Sequence, residues 1–177
     1  MTRTKLPGVL VFLGLSVALA SSSHADDACA SFTWDVRHER ALFAQEATSL
    51  VAGSTLATAP TLAADRLYQL ELKSQAQVKL VAPPGNKKQT DGMYAGLARL
   101  RVDTPGKYRI ALDQGFWIDL LVNGSPVRAE AFQGRPGCNA PHKIVEFVLP
   151  AGTPITLQLS GGNGPSLRVT LTRSPEG

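Results

Sequence analysis

The fold class is decided by residues 97–112, which have the sequence LARLRVDTPGKYRIAL. Apolar and polar residues alternate with a period of two in residues 97–102, and the alternation returns in residues 108–112. This period is typical of a β-strand with one buried face. Because the turn formers Thr104-Pro105-Gly106 lie between the two runs, the stretch predicts two strands joined as a hairpin.

Similar short runs lie on both sides of this stretch. Gly, Pro and Asn separate them at spacings of about 8–12 residues, which is typical of a sandwich or barrel. The gaps are too short for the crossover helices that a parallel sheet needs. We therefore expect an all-β protein, an antiparallel, jelly-roll-like β-sandwich in residues 67–177. Its predicted strands are 67–72, 77–81, 97–102, 108–112, 116–122, 127–132, 144–149, 155–159 and 167–171.

Residues 26–66 have a different pattern. Phe32, Trp34 and Val36 alternate as in a strand, and residues 39–46 are compatible with one or two helical turns. Residues 47–64 are rich in Ala, Thr and Ser, so helix, irregular strand and loop all remain open there. We expect a short helical or irregular N-terminal segment that packs on the sandwich and forms one domain with it.

Residues 1–25 have the pattern of a secretory signal peptide. Arg3 and Lys5 precede an apolar run at 6–20, and Ser23-His24-Ala25 provides a small-x-small cleavage site. The run is shorter than the ~20 residues of a membrane-spanning helix. We expect cleavage after Ala25, with Ala20 as a second possible site. The mature protein is then predicted to be periplasmic or secreted, without a stable membrane anchor.

The charge balance does not favour nucleic acid as a partner. The chain has 18 Lys+Arg against 14 Asp+Glu, and removal of Arg3 and Lys5 reduces the net charge from +4 to +2. The remaining basic residues are scattered, with Lys87-Lys88 as the one adjacent pair, whereas a nucleic-acid footprint requires clustering on one face. An apolar share of 44% also excludes a disordered chain.

Cys29 and Cys138 predict a disulfide. An even number of cysteines in an oxidising compartment favours pairing, and two cysteines allow one intramolecular bond. No C-x-x-C motif supports a redox pair, and two distant thiols lack the spacing of a metal site. The bond would join the new N-terminus to the loop at 133–141.

Residues 116–122, FWIDLLV, place Trp117 on the face opposite the predicted core. Phe116, Ile118, Leu120 and Val122 share the core face. Two interpretations of Trp117 follow: the N-terminal segment covers it, or it is an exposed ring that stacks on a sugar or another flat ligand. The disulfide loop adds Arg135, Asn139 and His142 as candidate binding residues, because binding residues concentrate on fixed loops.

The sequence assigns no catalytic residue, no metal and no cofactor. His38-Glu39-Arg40-Ala41-Leu42 begins like a zinc-protease motif, but Leu42 stands where the second histidine is needed. One alternative is a mononuclear iron site of two histidines and a carboxylate. It would use His38 and His142, with Glu39 or Glu146 as the third ligand.

The N-terminal pattern carries a resemblance. Cys29-x-x-Phe32-x-Trp34-Asp35-Val36-x-x-Glu39-Arg40-Ala41-Leu42-Phe43, with the late cysteine and the sandwich-like tail, resembles a group of small exported proteobacterial proteins. That group often carries the label homogentisate 1,2-dioxygenase, which implies iron as cofactor. True homogentisate dioxygenases are longer cupin-type enzymes, and this chain lacks their histidine-rich metal motif.

A second resemblance concerns the tail. Gly106-Lys107-Tyr108-Arg109-Ile110 and Leu149-Pro150-Ala151-Gly152 are similar in style to pre-peptidase C-terminal and carbohydrate-binding modules. The leading hypothesis is a periplasmic, non-enzymatic module that binds a protein or a glycan. The alternatives are an iron dioxygenase and a structural subunit of an envelope assembly.

Overall fold

A computed structural model describes residues 28–86 and 91–175, together with Met1. The predicted signal peptide and the pair Lys87-Lys88 lie outside the described segments. The helix α1 (Arg37–Phe43) precedes the strands, and two short 3₁₀ turns occur at Leu56–Thr58 and Gln75–Gln77. No helix in the described part of the chain is long and apolar enough to cross a membrane.

The described strands form two sheets. Sheet 1 has the order β1-β3-β12-β6-β10-β9, and sheet 2 has the order β2-β5-β11-β7-β8 with β4 paired to β5. This arrangement confirms the predicted all-β sandwich with a short N-terminal segment. The strands are β1 (Thr48–Val51), β2 (Thr61–Ala63), β3 (Leu67–Glu71), β4 (Lys73–Ser74), β5 (Tyr94–Arg101), β6 (Gly106–Leu112), β7 (Trp117–Val122), β8 (Ser125–Val127), β9 (Ala131–Gly134), β10 (Lys143–Leu149), β11 (Ile155–Gly162) and β12 (Ser166–Arg173).

The main core lies between the sheets and follows the period of two. Ile110 of β6, Leu120 of β7 and Leu157 of β11 are fully buried and belong to one apolar cluster. Leu120 and Leu157 are register partners in sheet 2, so their side chains lie on the same face. Phe116, Ile118 and Leu120 face this core as predicted.

The predicted hairpin in residues 97–112 is wrong. β5 pairs with β11 in sheet 2, whereas β6 pairs with β10 and β12 in sheet 1, so the turn at Thr104-Pro105-Gly106 connects the two sheets. Both strands have an alternating apolar face that is buried in the same core. That pattern is the same for two strands paired in one sheet and for two strands that lie opposite each other in two sheets. Asn123-Gly124, with φ values of 50° and 78°, does form a hairpin between β7 and β8.

Two other predicted strands differ from the structure. Residues 77–81 form the end of a 3₁₀ turn and irregular chain, with Val78 packed against Ala95 and Leu97 on the outer face of sheet 2. Residues 127–132 divide between β8 and β9, which belong to different sheets. Residues 47–64, for which the sequence leaves helix, strand and loop open, contain β1 and β2. β1 pairs in parallel with β3, and β2 pairs in parallel with β5, whereas the other described strand pairs are antiparallel.

Residues 32–47 of the N-terminal segment pack on the outer face of sheet 1. Val36 and Phe43 form an apolar cluster with Leu67, Ala111 and Ile144. The strand-like alternation at residues 32–36 does not produce a strand, because these residues pack by side chains without joining a ladder. The Cys29–Cys138 disulfide is present with a Cα–Cα distance of 5.0 Å, and such a bond fits an oxidising compartment.

Candidate functional site

A groove lies at the edge of the sandwich where β7 extends beyond β8. β8 pairs with Leu120–Val122 of β7, so the beginning of β7 has no strand neighbour on that side among the described residues. β9 is the corresponding edge strand of sheet 1. The space between these edges, called the edge groove below, has a volume of about 140 Å³ and is lined by Trp117, Ile118, Ala129, Phe132, Lys143 and Val145.

Phe132 is an inner-face residue that sheet 2 leaves uncovered. It is the register partner of Val145, and opposite residues of an antiparallel pair project from the same face. Val145 is buried in the main core with 5% of its surface exposed, whereas Phe132 is 71% exposed. The ring therefore borders an open edge of the core, where an apolar partner would remove it from water.

Trp117 lies at the opposite wall with 39% of its surface exposed. The described part of the N-terminal segment does not cover it, because residues 32–51 pack on or pair within sheet 1 and β2 pairs with β5 on the side of sheet 2 away from β7. The indole Nε1 donates a hydrogen bond to Asp119 Oδ1 at 2.8 Å. Its edge abuts Gly85, where an added Cβ would lie 2.8 Å from the indole nitrogen. The structure thus favours the interpretation of Trp117 as a partly exposed ring with a fixed orientation.

The loop behind Trp117 is held by the buried side chain of Gln158. Its amide nitrogen donates to Ala82 O at 3.0 Å, and its oxygen accepts from Val81 N at 2.9 Å. Asp119 accepts hydrogen bonds from Gln158 Nε2 and from Gly85 N, each at 3.3 Å. These contacts connect the indole, the carboxylate and the loop, which limits the reorientation of the ring when a ligand arrives.

Replacement of Gly85 by Ala is expected to displace the Trp117 ring towards solvent. The added Cβ would lie within 3.1 Å of two indole atoms and within 3.0 Å of Asp119 Oδ1. In a Trp34→Phe background, acrylamide should quench the fluorescence of Trp117 more strongly in Gly85→Ala than in the parent. Equal quenching in the two proteins would contradict the proposed close approach of the loop.

Lys143 joins the two sheets at the mouth of the groove. It shares the inner face of β10 with Val145, and its Nζ donates to the carbonyl oxygen of Phe116 at 3.1 Å. The ammonium lies 5.3 Å from the centroid of the Trp117 ring. Burial lowers the pKa of Lys143, and the negative charge of Asp119 partly opposes that effect.

Arg135, Asn139 and His142, the other candidate binding residues, do not line the edge groove. Arg135 donates to Ser31 O at 2.8 Å and stacks over Phe32, so it fastens the N-terminal segment. Asn139 is exposed in the disulfide loop. His142 is half-buried, with Nδ1 at 3.2 Å from Cys138 O, and it directly precedes Lys143.

The residues of the iron alternative have other partners. His38 Nε2 lies 2.7 Å from Asp65 Oδ1 on the surface. Glu39 and Glu146 both approach Arg109, at 3.6 Å and 3.4 Å. No group of three or more His, Cys, Asp or Glu side chains within residues 28–86 and 91–175 could hold a metal ion.

A larger cavity of about 630 Å³ lies elsewhere, beside the end of β5 and the beginning of β11. Its lining includes Arg99 but no aromatic ring. The Arg99 guanidinium is occupied by the carbonyl oxygens of Leu56 and Ala59, at 2.6 Å and 2.8 Å. The edge groove is therefore the better candidate, because it combines exposed rings with a cation that has few partners.

Comparison with known proteins does not place the chain in a family. No family model matches it, and no curated protein matches it. Among solved structures, a β-glucosidase from Kluyveromyces marxianus in complex with glucose shows 14% identity and a TM-score of 0.33. That match covers 56% of this chain and 12% of the β-glucosidase, and at this TM-score it carries no argument.

Phe132 and Lys143 were not singled out from the sequence. Phe132 ends a predicted strand, where an aromatic residue is expected to be buried. Lys143 directly precedes the apolar run 144–149. It lies two residues before the core-facing Val145, so the period of two places this charged residue on the core side of the strand, and that unusual position is a signal for a site. The exposure of Phe132 depends on the length of β8 in the other sheet, which no local pattern indicates.

Proposed function

We propose that the protein is an exported, non-enzymatic β-sandwich module that binds a glycan in the edge groove. The observation that carries this proposal is the exposed inner-face ring of Phe132 in the same groove as the partly exposed ring of Trp117. Aromatic rings of this kind bind partners that have an apolar face and a polar rim. A pyranose has both, since its C–H groups form a face and its hydroxyl groups form an edge.

The size of the groove favours a single ring over a protein surface. Its volume is about 140 Å³, and an apolar cavity of about 150 Å³ is large enough to hold benzene. A stable protein interface buries about 800 Å² on each partner. The neighbouring exposed apolar residue of β10, Val148, faces away from the groove, because it lies on the opposite face from Val145. The exposed apolar surface at the groove is thus of a size that fits one sugar ring better than a protein partner.

Export is supported by two features of different origin. The first residues have the pattern of a secretory signal, and the mature part contains a disulfide between Cys29 and Cys138. Disulfides persist in the periplasm and outside the cell and are rare in the cytosol. A module in these compartments meets cell-wall and extracellular polysaccharides, which fits the proposed ligand class.

Trp117→Ala and Phe132→Ala are each expected to weaken saccharide binding about tenfold or more, because central aromatic contacts contribute about 2 kcal/mol or more. A glycan array should identify the bound saccharide, and calorimetric titration should measure its affinity for each variant. Both side chains are partly exposed, so the melting temperature should change little.

Val148→Ala is the matched control, since it removes an exposed apolar side chain on the outer face of the same sheet. It should leave saccharide affinity unchanged. Absence of saccharide binding by the wild type would overturn the glycan proposal. A protein partner whose capture requires Trp117, without any saccharide binding, would replace the glycan with a protein.

A further inference from the structure

We infer that the edge groove selects an acidic sugar, a pyranose bearing a carboxylate, and that Lys143 is the residue that recognises this group. The inference rests on the proposed function and specifies its ligand class. It follows from the position of Lys143 and from the lack of a carboxylate within 4.0 Å of it among the described residues.

Lys143 is a half-buried cation that is paired less completely than several other basic residues of the described chain. Elsewhere in the described chain, several cations have a carboxylate within 4.0 Å: Arg37, Arg101, Lys107, Arg109 and Arg168. Lys143 has no such partner among the described residues. Its one hydrogen-bond acceptor there is the neutral carbonyl oxygen of Phe116.

This charge is partly removed from water without an opposite charge in contact. Lys143 is half-buried, and partial burial of a charge costs free energy unless a partner replaces the lost water. An ammonium group has three N–H donors, of which Phe116 O uses one. A carboxylate in the groove would accept from the remaining donors and form a charge-assisted hydrogen bond.

Asp119 does not satisfy this requirement. Its oxygens accept hydrogen bonds from Trp117 Nε1, Gly85 N and Gln158 Nε2. These contacts direct the carboxylate towards the indole and the loop behind it. Asp119 therefore stabilises the ammonium at a distance and fixes the ring beside it, and the N–H groups of Lys143 stay available to a ligand.

The rings and the cation together define the shape of the ligand. Trp117 and Phe132 contact the apolar face of the sugar, and the ammonium lies 5.3 Å from the centre of the indole ring. A carboxylate on the rim of a stacked pyranose can lie beside such an ammonium. A neutral sugar would fill the same groove but leave the charge of Lys143 without a partner.

The test compares polygalacturonate, alginate and hyaluronate with the carboxyl-reduced form of each polymer. By calorimetric titration, wild type should bind at least one acidic polymer about tenfold more tightly than its reduced form, as expected for a hydrogen bond between charged groups. Lys143→Met should remove this preference, and Lys143→Arg should keep most of it. The preference of the wild type should also decrease as salt is added, a readout that needs no variant.

The outcomes separate this inference from the proposed function. Equal, Trp117-dependent binding of the acidic and reduced polymers would overturn the acidic preference and leave the glycan proposal standing. A preference that survives Lys143→Met in a folded protein would also overturn the role of Lys143. Binding of no polymer in any pair would overturn the acidic-sugar inference, and the glycan array would then decide the proposed function.

Discussion

Replacing Arg109 by Met is expected to lower the free energy of unfolding by about 3–5 kcal/mol, the usual cost of leaving a buried ion without its partner. Arg109 is buried between the N-terminal segment and sheet 1, where its guanidinium contacts both Glu39 and Glu146. It also donates to Asp35 O at 2.9 Å and stacks over Trp34 at 4.7 Å. The substitution would remove the positive charge that faces the two buried carboxylates of Glu39 and Glu146.

Two hydroxyl groups complete the network around these carboxylates. Thr172 donates to Glu39 at 2.9 Å, and Ser174 donates to Glu146 at 2.6 Å. Lys107 lies 3.6 Å from Glu146 and is more exposed. These groups satisfy part of the hydrogen-bonding capacity, but one half-exposed lysine does not replace the charge of Arg109.

Urea denaturation of wild type and Arg109→Met would measure the effect. The triple variant Arg109→Met, Glu39→Gln, Glu146→Gln is the matched control, since it removes the unpaired charges as well. It should recover a large part of the lost stability. Equal stability of wild type and Arg109→Met at neutral pH would contradict the proposed role of this cluster.

The same comparison should depend on pH. Burial raises the pKa of Glu146, but the Ser174 hydroxyl and the Arg109 guanidinium outweigh burial and hold that pKa below its ordinary value of 4.5. A lowered pKa contributes stability above the unfolded-state value, and the contribution is lost as pH falls through the folded-state value. The difference between wild type and Arg109→Met should therefore shrink below pH 4.5, as Glu146 becomes protonated.

Removal of the disulfide by the double substitution Cys29→Ser, Cys138→Ser is expected to cost about 4–5 kcal/mol. The bond closes a loop with a sequence separation of 109, and a long loop loses much conformational entropy when it is closed in the unfolded chain. Both cysteines are buried, so the serine hydroxyl groups add a cost of their own.

Urea denaturation of the oxidised wild type, the reduced wild type and the double variant would test this expectation. Reduced wild type serves as the control, because it lacks the bond but keeps the original side chains. Both proteins without the bond should unfold at lower urea concentration than the oxidised form. A midpoint unchanged by reduction would contradict a stabilising role for the bond.

The sequence was informative about strands and much less so about their pairing. Alternation located β5 and β6, in which Leu100 and Ile110 are buried, because burial of one face follows the local period of a strand. Pairing is decided by the competition of every strand for neighbours. The turn at Thr104-Pro105-Gly106 therefore looked like a hairpin although it connects two sheets.

The candidate site shows the same division between local and non-local information. Trp117 could be selected from its strand, because it lies on the face opposite Ile118. Phe132 could not, since it is exposed only because β8 ends before covering it. Arg135, which was selected from the disulfide loop, contacts Ser31 across 104 residues of sequence, a distance at which no pattern is informative.

The position of β12 constrains the order in which the chain can acquire its structure as it emerges during synthesis. β12 lies between β3 and β6, so β3 and β6 do not pair directly with each other. A chain that emerges from its N-terminus presents residues 67–71 long before 166–173 can pair with them. During that interval the edge of β3 that pairs with β12 is unpaired, and Cys29 has a free thiol until Cys138 emerges. Chaperones and thiol oxidants would thus meet this protein as a largely extended chain that folds after most of it has emerged.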